Sequence, residues 1–260
     1  MSIFNTWINR QEEINNRRTL LICTEVAGMR AQIAGDLQEI IRSHYNDLAV
    51  IADDIKQLGY EDASKVLKAR LPQTSRARSG DLGEILATEF IEYELGYEVP
   101  IRRLRYKDGR EMALRGDDFI GIRRDKQRGL LLLKGESKSA SKLSNTTIKN
   151  ARSALNRDNG RCTPHALLFI ADRLMEGSAS ASQLELGRLL KTEVARHSLP
   201  PSRIEHAFFT MTANNPLASL RADLNAADAT RRQTSINLNI SDHQDFIAES
   251  YNNLEDLGND

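Results

Sequence analysis

The sequence is short of the residues that build disulfide-linked, zinc-binding and membrane-spanning proteins. Its two cysteines, Cys23 and Cys162, are far apart and form no CxxC motif, which argues against a disulfide framework and a zinc site. No apolar run approaches the length that crosses a membrane. The opening stretch, MSIFNTWINRQEE, has no basic region followed by an apolar region, so we expect no signal peptide and a cytoplasmic protein.

Motifs of several enzyme classes are also missing. The five histidines form neither HExxH nor another close metal-ligand spacing. There is no GxSxG sequence, and neither cysteine belongs to a nucleophile motif. Without a GxxxxGK[ST] loop, the chain is not expected to translocate DNA by itself. Few aromatic residues stand among the basic ones, so a stacking platform for single strands is not indicated.

The net charge is zero, but the two signs are separated along the chain. Residues 101–161 carry 17 lysines and arginines against seven acidic residues, and no lysine or arginine follows Arg232. Such clustering is common among solvated surface charges, and it also fits a basic face that neutralises phosphates. The position of Glu136 inside the basic region favours the second interpretation.

Hydrophobic periodicity predicts an α/β protein. Apolar residues at helical spacing predict helices through the first seventy residues, up to a polar break that begins at Pro72. Later elements are predicted in the following order: a helix opened by Asp81 and ended by Gly96, strands at 97–106, 118–122 and 130–138, a helix at 144–158, a strand at 165–172, a helix at 182–196, a strand at 207–212 and an acidic amphipathic segment at 245–257. A meander of strands followed by a helix and a further strand makes a mixed sheet with helices on its faces.

Two charged segments meet at one end of the predicted sheet. In GLLLLKGESK, at 129–138, an apolar strand ends in Glu136 and Lys138, whose side chains share one face. In RGDDFIGI, Asp117 and Asp118 open the preceding strand. If these strands pair, a carboxylate from each converges beside Lys138, and Mg²⁺ takes one or two carboxylates plus phosphate oxygens. The lysine could then orient or deprotonate water, or stabilise charge in the transition state.

The E-x-K spacing is weakly specific by itself. A second match, Asp54-Ile55-Lys56, lies in an amphipathic helical stretch with no apolar strand before it. The alternative for Glu136 and Lys138 is a surface ion pair worth at most about 1 kcal/mol. The upstream acidic pair and the basic surroundings favour the metal site over that alternative.

Glu84 has two explanations. Asp81-x-x-Glu84 fits a capping box, in which Asp81 caps the helix and Glu84 reaches back to the backbone N–H of Asp81. A glutamate in this helix could also reach the metal or its water shell. Spacing alone favours the capping role.

The order SGDLGE, RGDDFIGI and LLLLKGESKS resembles the PD-(D/E)XK nuclease superfamily and, more closely, the DUF1837 family, which includes the HamA-type nuclease subunits of Hachiman anti-phage defence systems. The resemblance covers about residues 75–212 and the HQDFIAESY segment near the C-terminus. It implies a restriction-endonuclease-like αβββαβ core at 74–215. An N-terminal helical region at 1–73 precedes this core, and an extension with an acidic amphipathic helix follows at 216–260.

The resemblance also implies roles for individual residues. Asp118 matches the acid at the start of the second strand, because two apolar residues follow it directly, and Asp117 is the adjacent candidate. Glu136 and Lys138 match the E-x-K pair. Glu84 matches the first-helix glutamate of the superfamily, which raises its metal-binding role above the capping role. The cofactor implied is Mg²⁺, with Mn²⁺ as a substitute.

One position departs from the superfamily pattern. Several branches carry a glutamine in the helix after E-x-K, and the nearest polar candidates here are Lys149 and Arg152, which leaves the role of that helix open. The family further implies a partner, a superfamily 2 helicase subunit of the HamB type. That complex restrains the nuclease until aberrant DNA is sensed.

The expected function is a Mg²⁺-dependent deoxyribonuclease of little sequence specificity that serves in phage defence, with DNA and a helicase as partners and no membrane. One alternative is an inert nuclease-fold module that binds DNA or the helicase without cutting. The intact D…E-x-K pattern argues against it, because converging carboxylates repel one another and DNA unless a cation lies between them. A second alternative is an α/β adaptor that docks proteins, whose contact with DNA would lack a phosphate-driven salt dependence.

Overall fold

The computed structural model describes residues 2–112, 114–125 and 129–258. Within them, six strands form one sheet: β1 (Ile8–Asn15), β2 (Arg18–Glu25), β3 (Phe119–Asp125), β4 (Gly129–Ala140), β5 (Ile204–Thr212) and β6 (Gln233–Asn239). The helices of this part of the chain are α1 (Phe4–Trp7), α2 (Arg30–Tyr45), α3 (Leu48–Leu58), α4 (Tyr60–Arg70), α5 (Ser75–Tyr93), α6 (Asn145–Asn156), α7 (Pro164–Leu174), α8 (Ala181–Arg196), α9 (Leu217–Ala226) and α10 (His243–Ser250). None of these described helices is long and apolar enough to cross a membrane.

The sheet is mixed, with the order β1-β2-β6-β5-β4-β3. The four central strands run parallel, and β1 and β3 pair antiparallel at the two edges. Consecutive residues of β4 point to opposite faces, and both faces are covered by helices. Leu133 packs in the same core cluster as Leu82 of α5, whereas Leu132 packs with Leu167 of α7. The predicted α/β class, with a mixed sheet flanked by helices, is confirmed.

The prediction of helices throughout the first seventy residues is wrong at Ile8–Glu25, where β1 and β2 form a hairpin. Seven of the eight β1 residues are exposed, so this edge strand shows no apolar alternation that a sequence pattern could reveal. The helices α2, α3 and α4 confirm the prediction for the rest of that segment. The division of the chain at 73 and 215 stays a prediction, and β1, β2 and β6 lie outside its core but in the same sheet.

Two predicted strands are wrong. The segment 97–106 contributes one isolated bridge, from Glu98 to Ile122, and then forms a short 3₁₀ helix at Arg103–Tyr106. HALLFIAD, at 165–172, lies in α7, which begins with Pro164 at its first position. A short apolar run fits a buried helix as well as a buried strand, and proline at the first helical position is a helix-start signal. The predicted elements at 118–122, 130–138, 144–158, 182–196 and 207–212 are confirmed.

Helix α5 begins six residues before Asp81. Thr74 caps it, with its Oγ1 accepting a hydrogen bond from the backbone N–H of Ala77 at 3.3 Å. Asp81 therefore lies inside the helix, and the capping-box explanation of Glu84 is wrong. Gly83 permits the close approach of α5 to β4, because a Cβ at this position would stand 3.1 Å from the Ser137 Oγ.

Candidate active site

Strand pairing joins the two charged segments found in the sequence. The antiparallel register aligns Phe119 with Gly135, which places Asp118 beside Glu136. The Asp118 N–H donates to the Gly135 carbonyl at 3.1 Å. In return, the Ser137 N–H donates to Asp118 Oδ2 at 2.8 Å. The Asp118 carboxylate thus binds the backbone of β4 just beyond the first residue of β3. The pairing of these two strands that the sequence led us to expect is present.

Lys138 lies between the two carboxylates. Its Nζ donates to Glu136 Oε1 at 2.6 Å and stands 3.5 Å from Asp118 Oδ2. A further bond goes to the Ser137 carbonyl at 2.8 Å. The Lys138 side chain is 31% exposed and that of Asp118 is 20% exposed, whereas Glu136 is nearly buried at 9%. The structure therefore brings together the predicted acid, E-x-K glutamate and lysine at a place that solvent reaches.

The local electrostatics disfavour the ionised form of Glu136. Burial, and then the nearby Asp118 carboxylate, raise the pKa of Glu136 from 4.5 to about 7, although the Lys138 ammonium opposes the change. Burial alone would lower the pKa of Lys138, but the Asp118 and Glu136 carboxylates together raise it. Negative charge is concentrated here beyond what one lysine balances, and a cation would relieve that excess.

Glu84 joins the same site from α5. Its side chain is partly buried and lines the same cleft as Asp118 and Lys138. Burial raises the pKa of Glu84 well above its ordinary value, and the carboxylates of Asp118 and Asp81 raise it further. This third acid fits the first-helix position that the sequence resemblance gave it.

Asp117 is not brought to Lys138. Its Oδ2 accepts hydrogen bonds from the N–H and Oγ1 of Thr163, at 2.7 and 3.0 Å. Its Oδ1 stands 3.6 Å from the Nζ of Lys134, and both side chains are 2% exposed. Burial raises the pKa of Asp117, and Lys134 opposes that rise. Asp117 therefore anchors the start of β3 to the loop before α7 and does not line the cleft.

Arg103 supports Asp118 and went unnoticed in the sequence. Its guanidinium donates to the carbonyls of Arg115 at 2.6 Å, of Asp118 at 3.3 Å and of Asp117. Three carbonyls of the segment that ends in Asp118 are thus held by one buried side chain. A contact to backbone carbonyls requires no particular partner residue, so no sequence pattern could have revealed it.

A second group of residues missed in the sequence forms the wall beside Glu84. Asp81 accepts hydrogen bonds from Lys107 Nζ at 2.9 and 3.0 Å and from the Tyr45 hydroxyl at 2.7 Å. The hydroxyls of Tyr45 and Tyr251 are 2.9 Å apart. This network ties α2 and the C-terminal segment to α5. Asp81 therefore links these elements, and it does not cap the helix.

Asp81, Glu84, Asp118 and Lys138 line an open cleft of about 930 Å³. Its walls come from the first turns of α5, from Lys107 and from the end of β4. The basic side chains that line it are Arg76, Lys107, Lys138 and Lys142. Four acidic side chains, Asp81, Glu84, Glu111 and Asp118, line the cleft as well, so the phosphates of a nucleic-acid strand would pair with the basic side chains and need a cation beside the acidic ones.

The two polar candidates in the helix after E-x-K have other environments. Arg152 donates to Asp223 of α9 at 2.7 Å and to Gln233 at 2.8 Å, which ties α6 to the sheet. Lys149 is exposed on α6. Arg152 is thus engaged in a structural contact, and the glutamine of the superfamily pattern has no counterpart at the site.

The side chains as they stand do not form a complete metal cage. Within the described ranges, no group of three or more histidine, cysteine, aspartate or glutamate residues could hold a metal ion. The oxygen donors that converge are those of Asp118 and Glu136, with the Lys138 ammonium between them. Mg²⁺ requires only one or two protein carboxylates, because waters and substrate oxygens complete its shell. The donor set therefore fits Mg²⁺ rather than zinc.

Comparison with known proteins identifies the family. The family model described as HamA matches residues 1–254 of the chain. A Hachiman protein HamA from Bacillus cereus is 24% identical over 242 residues, which cover 85% of this chain and 81% of that protein. The resemblance to HamA-type proteins drawn from the sequence is confirmed. Because the family model extends over nearly the whole chain, the chain belongs to the HamA family.

Proposed function

We propose that this protein is a metal-dependent DNA nuclease and the effector of an anti-phage defence complex. The observation that carries the proposal is the meeting of Asp118 and Glu136 at the Lys138 ammonium near the end of β4, where Asp118 and Lys138 line an open cleft. Membership in the HamA family and the likeness to a Hachiman protein support the defence role.

Asp118 and Glu136 would hold Mg²⁺, or Mn²⁺ in its place, and Glu84 would reach its water shell. Burial, and then the Asp118 carboxylate, raise the pKa of Glu136 to about 7, and a divalent cation bound between the two carboxylates would favour their ionised forms. When bound, the ion supplies Lewis-acid stabilisation of the phosphodiester and lowers the pKa of water. Asp117 is outside this proposed ligand set because its carboxylate is bound to Thr163.

Lys138 is the residue placed to act on the nucleophile. Its side chain lines the cleft and ends in an ammonium with three donors, so it can orient a water for in-line attack on phosphorus. The same ammonium can stabilise the charge that develops on the phosphoryl oxygens. Arg103 and the Ser137 N–H hold Asp118 in place while this occurs.

Binding of DNA is assigned to the dispersed basic residues rather than to the acidic centre. Lysines and arginines that neutralise phosphates supply affinity without reading sequence, which fits a nuclease of little specificity. The sequence has no phosphate-binding loop of a motor. We therefore propose that a superfamily 2 helicase subunit of the HamB type supplies translocation and restrains the nuclease.

The test is cleavage of linear and supercoiled DNA by the purified chain in Mg²⁺ and in EDTA. Glu136→Ala and Lys138→Ala are expected to abolish cutting while DNA affinity changes little. Asp54→Ala and Lys56→Ala are matched controls, because Asp54-Ile55-Lys56 repeats the same spacing in α3, away from the cleft. Full activity in either Glu136→Ala or Lys138→Ala would refute the site.

If the wild-type chain alone does not cut, the same assay is run with the helicase subunit and ATP. Cutting that appears only then supports a restrained nuclease. A chain that still binds DNA with a steep salt dependence but never cuts would instead be the inert nuclease-fold module. A chain without that salt dependence would be the adaptor.

A further inference from the structure

Three arginines lie at the end of the sheet opposite the cleft. Arg17, Arg232 and Arg203 each stand immediately before a strand, namely β2, β6 and β5 in that order. These three strands are neighbours in the sheet and run parallel. Their first residues therefore lie at the same end of the sheet. This brings the three arginines side by side although they are far apart in sequence.

The three arginines line a cleft of about 300 Å³, together with Ser202 and Glu205. This volume is at the small end of ligand sites. No aromatic side chain is among the described residues that line it. A ligand here would be recognised by charge and hydrogen bonds rather than by stacking of a base.

Backbone hydrogen bonds fix the positions at which these arginines leave the sheet. The Gln233 N–H donates to the Arg17 carbonyl at 2.8 Å, and the His206 N–H donates to the Arg232 carbonyl at 2.9 Å. The Arg17 guanidinium is itself oriented by a bond from its Nη1 to the Thr230 carbonyl at 2.6 Å. A site whose donors are placed before the ligand arrives loses less entropy on binding.

The positive charge of this cleft exceeds what the nearby acid balances. Glu205 is the one acid among the described lining residues, and it is buried. Its Oε2 accepts the Tyr97 hydroxyl at 2.6 Å and stands 3.7 Å from Arg232 Nε, while Arg123 approaches its Oε1 at 4.0 Å. One carboxylate cannot neutralise the three guanidiniums that line the cleft, so the cleft keeps a net positive charge that an anion would satisfy.

We propose that this arginine cleft binds a phosphate group, either from a nucleic-acid backbone or from a free nucleotide or inorganic phosphate. Guanidinium groups present paired N–H donors that match phosphate oxygens, which is why arginines gather at such sites. Lys138 pairs with Thr210 on β5, five residues beyond Glu205, so the two sites are separated by roughly 17 Å along the strand. The proposal stands apart from the nuclease assignment, since it requires binding alone.

The experiment is calorimetric titration of the full chain, in EDTA and at several salt concentrations, with inorganic phosphate, a deoxynucleoside monophosphate and a short DNA duplex. Arg203→Gln and Arg17→Gln are compared with the control Arg188→Gln, which removes an exposed arginine from α8. Arg203 is partly exposed in a short surface turn, so its replacement tests the site even if Arg17→Gln disturbs the fold.

A small-ligand site predicts that phosphate or mononucleotide affinity falls about tenfold in Arg203→Gln and is unchanged in Arg188→Gln. A backbone site predicts that the small probes do not bind, while the salt slope for the duplex falls by about one in Arg203→Gln alone. Either pattern supports the proposal and names the source of the phosphate. Equal binding of all three probes by wild type and Arg203→Gln overturns it, as does an equal loss in Arg188→Gln.

Discussion

Two neighbouring aspartates each meet a lysine of β4, and the two pairs have different surroundings. Asp117 stands 3.6 Å from Lys134, and Asp118 stands 3.5 Å from Lys138, so the N–O distances are nearly equal. The first pair is 2% exposed on both sides, whereas the second is 20% and 31% exposed. The buried pair can only hold the fold together, while the exposed pair remains available to a metal, water or a phosphate.

The partners of each pair explain the difference. Lys134 also donates to the carbonyls of Arg157 and Arg161, at 2.9 and 2.8 Å, and Thr163 satisfies Asp117. Every strong donor and acceptor of the buried pair is thus occupied by the protein. In the exposed pair, Lys138 shares a crowded acidic centre with Glu136, and part of its charge faces solvent. Position on the strand, more than residue type, separates a buried structural pair from a pair that solvent reaches.

The largest effect on stability is expected at the buried pair. Lys134→Met leaves Asp117 without its buried cation and leaves two carbonyls without a donor, so we expect a loss of about 3–5 kcal/mol in the free energy of unfolding. Chemical denaturation in EDTA measures it. Lys138→Met is the matched control, because it makes the same substitution on the same face of β4 and should change stability far less. Similar losses in the two variants would contradict the distinction between the pairs.

A smaller effect, dependent on pH, is expected at Glu136. Since the folded-state pKa, about 7, is above the ordinary value of 4.5, the folded protein binds this proton more tightly than the unfolded chain. Glu136 therefore weakens the fold progressively as pH rises from about 4.5 to about 7, and the cost is complete above that range. Glu136→Gln removes the charge and should raise the free energy of unfolding at pH 8 by about 3 kcal/mol, measured in EDTA.

The same variant should change stability little at pH 4, where the wild-type side chain is already protonated. Mg²⁺ should stabilise the wild-type chain at pH 8 and stabilise Glu136→Gln less, because a ligand that binds only the folded protein raises its stability. A gain from Glu136→Gln that is equal at pH 4 and pH 8 would mean that the site does not oppose ionisation of Glu136.

The sequence predicted the part of the site that rests on strand pairing. An acidic start to one strand and E-x-K at the end of the next must meet if the two strands are antiparallel neighbours, and they do. The resemblance to the nuclease superfamily matched Asp118 because two apolar residues follow it directly, and it left Asp117 as the adjacent candidate. What the sequence could not predict were contacts to backbone atoms, such as those of Arg103, because any residue provides a carbonyl.

The errors in the fold have similar physical causes. β1 is an edge strand that is exposed at almost every position, so its sequence lacks the alternation of apolar and polar residues that would indicate a strand. The run at 165–172 is apolar enough for either a strand or a helix, and packing on the sheet decided for the helix. The polar first turns of α5 face the cleft, which concealed the true start of that helix at Ser75.

The measurement that tests the central claim most directly compares Asp118→Asn with Asp117→Asn, two identical substitutions at adjacent positions. Each variant is assayed for Mg²⁺-dependent DNA cleavage under conditions in which the wild-type chain cuts, and its unfolding is followed in parallel. We predict that Asp118→Asn loses cleavage about 10³-fold and keeps its stability. Asp117→Asn should lose stability and still cut when folded. Retention of cleavage by Asp118→Asn, with loss confined to Asp117→Asn, would contradict the account.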